Sequence, residues 1–199
     1  IRSGEMNWVD FELALRGLVF ACVFAALALW EQRAPVRALT LSRAQRWQAN
    51  LGLVLISTLV VRLVVPGSAI ALAVLASAEG WGLLNHIQPP AWVAIPIAIV
   101  ALDLVVYLQH VLFHSIPALM RLHSVHHADP DFDLTTGVRF HPLEILISTL
   151  LKLAAVAALG APVLAVLCFE LLLNATAMFN HANVSLPRWL ESWVRRLVV

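Results

Sequence analysis

The sequence predicts an all-α integral membrane bundle, with about four transmembrane helices or helical hairpins and a histidine-rich metal site on the cytosolic face. Three observations predict it. The chain of 199 residues is 61% hydrophobic and 13% charged, with a mean hydropathy of +0.85, so there is too little polar surface to clothe a globule in water. Apolar runs of fifteen to twenty residues recur along it, close to the length that crosses a hydrocarbon core as a helix, and lipid forces the backbone to satisfy its own hydrogen bonds. Five of the eight histidines fall within His110–His127, HVLFHSIPALMRLHSVHH.

The length fits one domain, residues 1–199. The net charge of +1 argues against a nucleic-acid partner. Cys22 and Cys168 each sit in an apolar run without metal-site spacing, so buried structural thiols are expected rather than a disulfide framework. The chain starts at Ile1, and its last residues, WVRRLVV, carry no helix-stop signal. The expectation is a sequence partial at both ends.

The first membrane segment is 11–30, interrupted by Glu12 and Arg16. A cleaved signal peptide fits it poorly, because Glu5 and Asp10 precede it and no small-residue cleavage site follows. The loop EQRAPVRALTLSRAQRWQ carries Arg33, Arg37, Arg43 and Arg46 against one acid, Glu31. The positive-inside rule puts it in the cytoplasm. A second segment, 47–65, ends at Pro66-Gly67. Residues 69–84 are apolar but hold Glu79, Gly80 and Gly82, which favours a re-entrant helix over a full crossing. Segment 91–109 then returns to the side of the basic loop and brings the histidines with it. Residues 145–179 form a further membrane segment, a hairpin or a broken helix split at Gly160-Ala161-Pro162.

His110 and His114 are spaced i, i+4, so a helix puts both rings on one face. His123, His126 and His127 are spaced i, i+3, i+4. Pro117 between the groups predicts two short helical faces converging on one site. A lone histidine on an apolar helix is usually a satisfied core residue, but five imidazoles beside a membrane have no cheap structural role. Metal binding is therefore expected, since neutral imidazole is the commonest ligand. Asp103 and Tyr107 precede His110 on its helical face, and Asp103 is a candidate to fix a ligand's tautomer. Asp129, Asp131 and Asp133 lack the downstream Gly and Glu of a calcium loop and read as a solvated acidic loop. His141, with Arg139 and Glu144, opens the next apolar segment as a ligand or a capping residue; Pro142 and Glu144 suit a helix start. His181 ends the last apolar run between Asn180 and Asn183. His86 stands in a Pro-rich turn and reads as incidental.

The segments DLVVYLQHVLFH, RLHSVHHADPDFDLTTGVRFHPLE and NHANVSLP resemble the fatty acid hydroxylase / sterol desaturase superfamily, over roughly Trp81 to Val199. The resemblance implies a membrane oxygenase with a di-iron site on the cytosolic face that uses O2 and two electrons to hydroxylate or desaturate a lipid or sterol. It implies His110, His114, His123, His126 and His127 as ligands, His181 as a further ligand-region residue and His141 as a weaker one. No electron-transfer domain is visible, so a separate donor, cytochrome b5-like or ferredoxin-like, is expected. Two departures stand out. Val111 occupies a position that is often Arg in relatives, and the further HxxHH box that follows the HAN-like segment in the family does not appear before Val199. Its absence is expected to cost one metal much of its coordination and to leave the chain as given inactive.

The alternative is a histidine-rich membrane metal-binding or metal-transport protein without oxygenase activity. Transport would spread histidines and carboxylates through the centres of several spans, whereas here they gather after one. A bis-histidine haem carrier needs single histidines on facing helices. A zinc hydrolase of the HExxH type lacks its carboxylate.

Overall fold

The computed structural model describes residues 8–197. Its elements are α1 (Trp8–Arg33), α2 (Arg43–Val64), α3 (Ala69–Ala78), α4 (Leu83–Ile87), α5 (Ala91–Ser115), α6 (Pro117–His127), a 3-10 turn (Thr136–Val138), α7 (Pro142–Leu159), α8 (Val163–His181) and α9 (Arg188–Leu197). There is no strand among the described residues. Among the described residues, five helical stretches are long and apolar enough to cross a membrane: Phe11–Arg33, Arg43–Ile87, Ala91–Ser115, Pro142–Leu159 and Val163–His181. The number exceeds four because Gly160 ends one helix and Pro162 precedes the next. Gly160 takes φ +65° and its N–H returns to Val156 and Ala157, a left-handed stop that suits glycine.

Small side chains set the packing. Ala73, Ala76, Ala98 and Ala165 are fully buried, with Leu102, Val156 and Phe169 beside them. Close approach through small residues is how helices pack in lipid, where apolar side chains gain nothing by avoiding the solvent. The large apolar residues face outward instead. Leu63, Trp92, Val100 and Leu18 are among the most exposed, an arrangement that suits a bilayer and would be a liability in water. Both cysteines are free, and Cys22 lies on this exposed face rather than buried.

Segment 69–84 holds α3, a turn and the start of α4. Ten residues of helix rise about 15 Å, half of a hydrocarbon core. Near the start of α2, Arg46 and Asn50 bond residues of the loop after α6. Past the end of α3, Gly82 packs on Gly160 at the other end of α7. Thus α2 and α3 descend one after the other on either side of the break at Pro66-Gly67. A Cβ on Gly82, at φ +86°, would lie 2.1 Å from Gly160 N, so the two turns touch backbone to backbone. Then α5 ascends, α7 descends and α8 ascends. His110, His114, His123 and His181 consequently meet at the end of the bundle that also holds the basic loop.

Candidate metal centre

The last two turns of α5 carry His110 and His114. Ile116 leaves the helix at φ −99°, ψ 117°, the extended conformation favoured before proline. Pro117 then starts α6 at a position where its missing N–H costs nothing. The bend folds α6 back on α5. His123, fully buried, has its ring centroid 4.8 Å from His110, 4.7 Å from His114 and 4.8 Å from His127. The candidate ligand atoms of His110, His114 and His123 all lie within 4.8 Å of one another, and the Nε2 atoms of His110 and His114 are 3.1 Å apart.

A second group adjoins the first. His126 stacks on Phe140, with centroids 4.7 Å apart and planes at 2°. His181, from the end of α8, brings its Nε2 within 3.0 Å of His126 Nε2. The ring of His127 lies between the groups, 5.0 Å from His114 and 5.1 Å from His126.

The outer ring nitrogens fix the tautomers. His126 Nδ1 lies 3.2 Å from the Arg139 carbonyl and His181 Nδ1 lies 2.8 Å from the Ala177 carbonyl. A carbonyl only accepts, so each Nδ1 carries the proton and each Nε2 presents a lone pair. Two lone pairs 3.0 Å apart repel unless a cation sits between them. His123 Nδ1 is 2.7 Å from Glu144 Oε1, and its buried Nε2 has no hydrogen-bond partner. Ligands about 2.0–2.1 Å from one ion stand about 3 Å apart, which is the spacing of both Nε2 pairs. The donor set thus fits metal ions.

Charge favours the same state. Burial, then the neighbouring imidazoles, push the His123 ring down to about 3. Burial and His181 push His126 down to about 4, against the carbonyl bond from Arg139. His127 is lowered by burial and by His114. These rings are neutral at pH 7, so they have no proton to lose before a cation can be held.

The acidic loop after α6 is not solvated. Asp129, Asp131 and Asp133 are all buried, and the reason is Arg46. Its Nε and Nη2 donate to the two oxygens of Asp129 at 2.9 and 2.8 Å, and its Nη1 donates to Asp133 at 2.6 Å. Burial alone would raise Asp129, but hydrogen bonds from Arg46, Thr136 and Asn50 outweigh it and hold the carboxyl at about 2. Asp131 accepts from the Thr40 and Leu41 amides, each at 2.9 Å. Glu31, also buried, accepts from the amides of Leu134 at 2.7 Å and Asn183 at 2.9 Å. Arg139 donates to the Val125 carbonyl at 2.8 Å and to Asn50 at 2.7 Å. Gly137 lies so close to α8 that a Cβ there would sit 2.2 Å from Ala177 O. This network holds α6, the loop and the end of α8 in one register.

The other candidates lie apart from the cluster. His141 caps α7, its Nδ1 accepting from Leu143 N at 3.1 Å. Asp103 and Tyr107 are exposed on α5, and neither bonds a cluster histidine among the described residues. His86 lies within α4, its Nδ1 2.8 Å from the Gly82 carbonyl. Sequence reasoning missed Arg46, Asn50, Glu31 and Asn183. One signal was present: Arg46 and Asn50 are a helical turn apart at the polar start of an apolar run.

A model of the fatty acid hydroxylase family matches residues 95–198, just over half of the chain. No curated protein and no solved structure matches it.

Proposed function

The chain belongs to the fatty acid hydroxylase family, and from that membership we propose that it is a di-iron oxygenase that hydroxylates or desaturates a lipid or sterol. Membership implies oxidoreductase activity; the di-iron site, the substrate and the choice of reaction are our reading. In hydroxylation the substrate C–H gains one oxygen atom from O2. Two electrons and two protons reduce the other atom to water. The electrons come from a separate donor, cytochrome b5-like or ferredoxin-like, and the centre faces the cytoplasm.

The observation that carries this reading is the pair of Nε2 contacts, His110–His114 at 3.1 Å and His126–His181 at 3.0 Å, joined by the buried, unpartnered Nε2 of His123. We assign His110, His114, His123 and His127 to one ion, and His126 and His181 to its neighbour. Iron, when bound, supplies the O2 activation needed to break an unactivated C–H bond, which side-chain acids and bases cannot attack. Imidazole alone does not select iron over zinc or copper; the family does. The protein's own part is positional. Glu144 and the Arg139 and Ala177 carbonyls orient the rings, and Phe140 excludes water from one side.

The test is elemental analysis of the detergent-purified protein. We expect close to two irons per chain, reduced by His123→Ala and unchanged by His86→Ala. Absence of bound metal would sink the oxygenase reading.

A further inference from the structure

A cavity of about 340 Å³ opens from the centre at His110, Phe140 and Glu144 and runs between Val106 and Leu173 to Lys152 and Glu170. A second, of about 510 Å³, starts at the same Lys152 and Glu170 and reaches the α2–α3 break at Pro66-Gly67, past Arg16 and Ser68. Thr58, Ile145, Thr149, Lys152 and Glu170 line both, so the cavities meet there. Each is of the size that holds a small ligand.

The meeting point is an ion network inside the bundle. Arg16 pairs with Glu12 at 2.9 Å and also with Glu170; Lys152 pairs with Glu170, and Ser68 Oγ lies 3.3 Å from Glu12. Lys152 lies ten residues into α7, about 15 Å along it and near the middle of a hydrocarbon core. Ionisable groups at that depth are costly and are generally kept for function. Two further polar atoms on the cavity walls are buried without a partner: Ser57 Oγ, on a residue 5% exposed, and Glu144 Oε2. Ser57 calls for a hydrogen-bonding guest in the smaller cavity, whereas Glu144 belongs to the centre, beside His123.

Charge selects the guest. Two cations face two anions, so the paired groups are neutral; the third cation on the wall of the larger cavity, Arg62, is an exposed residue in the last turn of α2. An anionic head would leave an uncompensated charge in a medium of low dielectric. A hydroxyl or amide both donates and accepts, and bonds Lys152 and Glu170 without changing the charge.

We propose that the Lys152–Glu170 network anchors the uncharged hydrogen-bonding head of a long-chain neutral lipid whose chain extends up the 340 Å³ cavity to His110. This rests on the oxygenase reading of the centre. The lipid reaches the network through the opening at the α2–α3 break. Glu144 and Lys152 are eight residues apart on α7, about 12 Å, so the oxidised carbon is an internal one about that far from the head.

The probe is a hexadecanol carrying a diazirine in the half of its chain nearer the hydroxyl, photolysed with the full chain in detergent and mapped by mass spectrometry. Labelling is expected on the peptides that hold Val106 and Leu173. Excess hexadecanol should abolish it, and equal hexadecanoic acid should leave it. Lys152→Met should reduce it about tenfold. Should that variant not fold, Val106→Trp, which fills the cavity and spares the network, should reduce it likewise, and the wild-type competition decides independently. Labelling outside the cavity, equal competition by the acid, or labelling unmoved in folded variants would overturn the proposal. Iron is measured on the same samples. Iron without cavity labelling removes the anchor and leaves the oxygenase; cavity labelling without iron does the reverse.

Discussion

Replacing Arg46 with Met removes the cation that holds the acidic loop. Arg46 is 4% exposed and makes a two-point bond to Asp129 at 2.9 and 2.8 Å and a further bond to Asp133 at 2.6 Å. Methionine fills much of the volume but strands two buried carboxylates. Breaking a buried pair by removing one partner costs about 3–5 kcal/mol. Asn50, Thr136 and Trp47 still donate to these carboxylates, which places the loss near the lower bound, about 3 kcal/mol. For a chain of this size each kcal/mol moves the unfolding midpoint by about 2–4 °C, so the midpoint in detergent should fall by about 6–12 °C. Adding Asp129→Asn and Asp133→Asn should recover most of it, because no unpaired charge then remains. A midpoint for Arg46→Met within about 2 °C of wild type would refute the reasoning.

Glu144→Gln keeps the shape beside His123 Nδ1 and removes the charge. Chelator competition should show metal affinity weakened by about 10–100-fold, and unchanged affinity would confine Glu144 to starting α7. Gly137→Ala would drive a methyl into Ala177 O, 2.2 Å away, the carbonyl that orients His181. It should cost about 1–3 kcal/mol and lower the metal stoichiometry; full stoichiometry would show that α8 yields freely. In the metal-stripped protein, His123 and His126 titrate at about 3 and about 4, below the unfolded value of about 6.5. The unfolded chain therefore binds more protons between those values. The share of stability that these two rings carry should be level above about pH 6.5 and fall as pH drops towards 4. A wild-type midpoint that falls no more steeply than that of His126→Gln through that window would contradict the burial of these rings.

The helical fold was legible because apolar runs declare themselves, and the ends were not. The run read as 91–109 continues as helix to Ser115, through His110 and His114, because those rings find partners in α6. The polar residues Arg43 to Gln48 are helical although they looked like loop, because Arg46 faces carboxylates from the far side of α6. The histidine spacings were legible since i, i+3 and i+4 are local. The burial of Asp129 was not, since its partner stands 83 residues away. Three aspartates in five residues look solvated until a buried arginine is brought to them. Asp103 precedes the first histidines on one helical face, yet the carboxylate on His123 is Glu144, from another helix. Sequence spacing shows which groups share a face and leaves open which face another helix will cover.

The position of the histidines at one end of the bundle follows from what the proposed reaction must bring together. Electrons come from a separate protein and protons from water, and neither reaches the middle of a bilayer cheaply. The substrate chain lies in the hydrocarbon. A centre at the bundle's end, above a cavity that descends between α5, α7 and α8, is accessible to both. That placement exposes His110, His114 and His127 to water, which would leave their orientation loose if each ring stood alone. Rigidity is supplied from outside the ring cluster. Arg46, Asn50 and Glu31, on α1 and α2, fix the loop whose Arg139 carbonyl orients His126. Asn183, held between Glu31 and the amides of Val36 and Arg37, fixes the chain just past His181. On this argument the first two helices hold the centre in geometry as well as in the membrane. Asn183→Ala should accordingly loosen metal binding although it removes no ligand, and unchanged metal affinity in the folded variant would show that α8 positions His181 unaided.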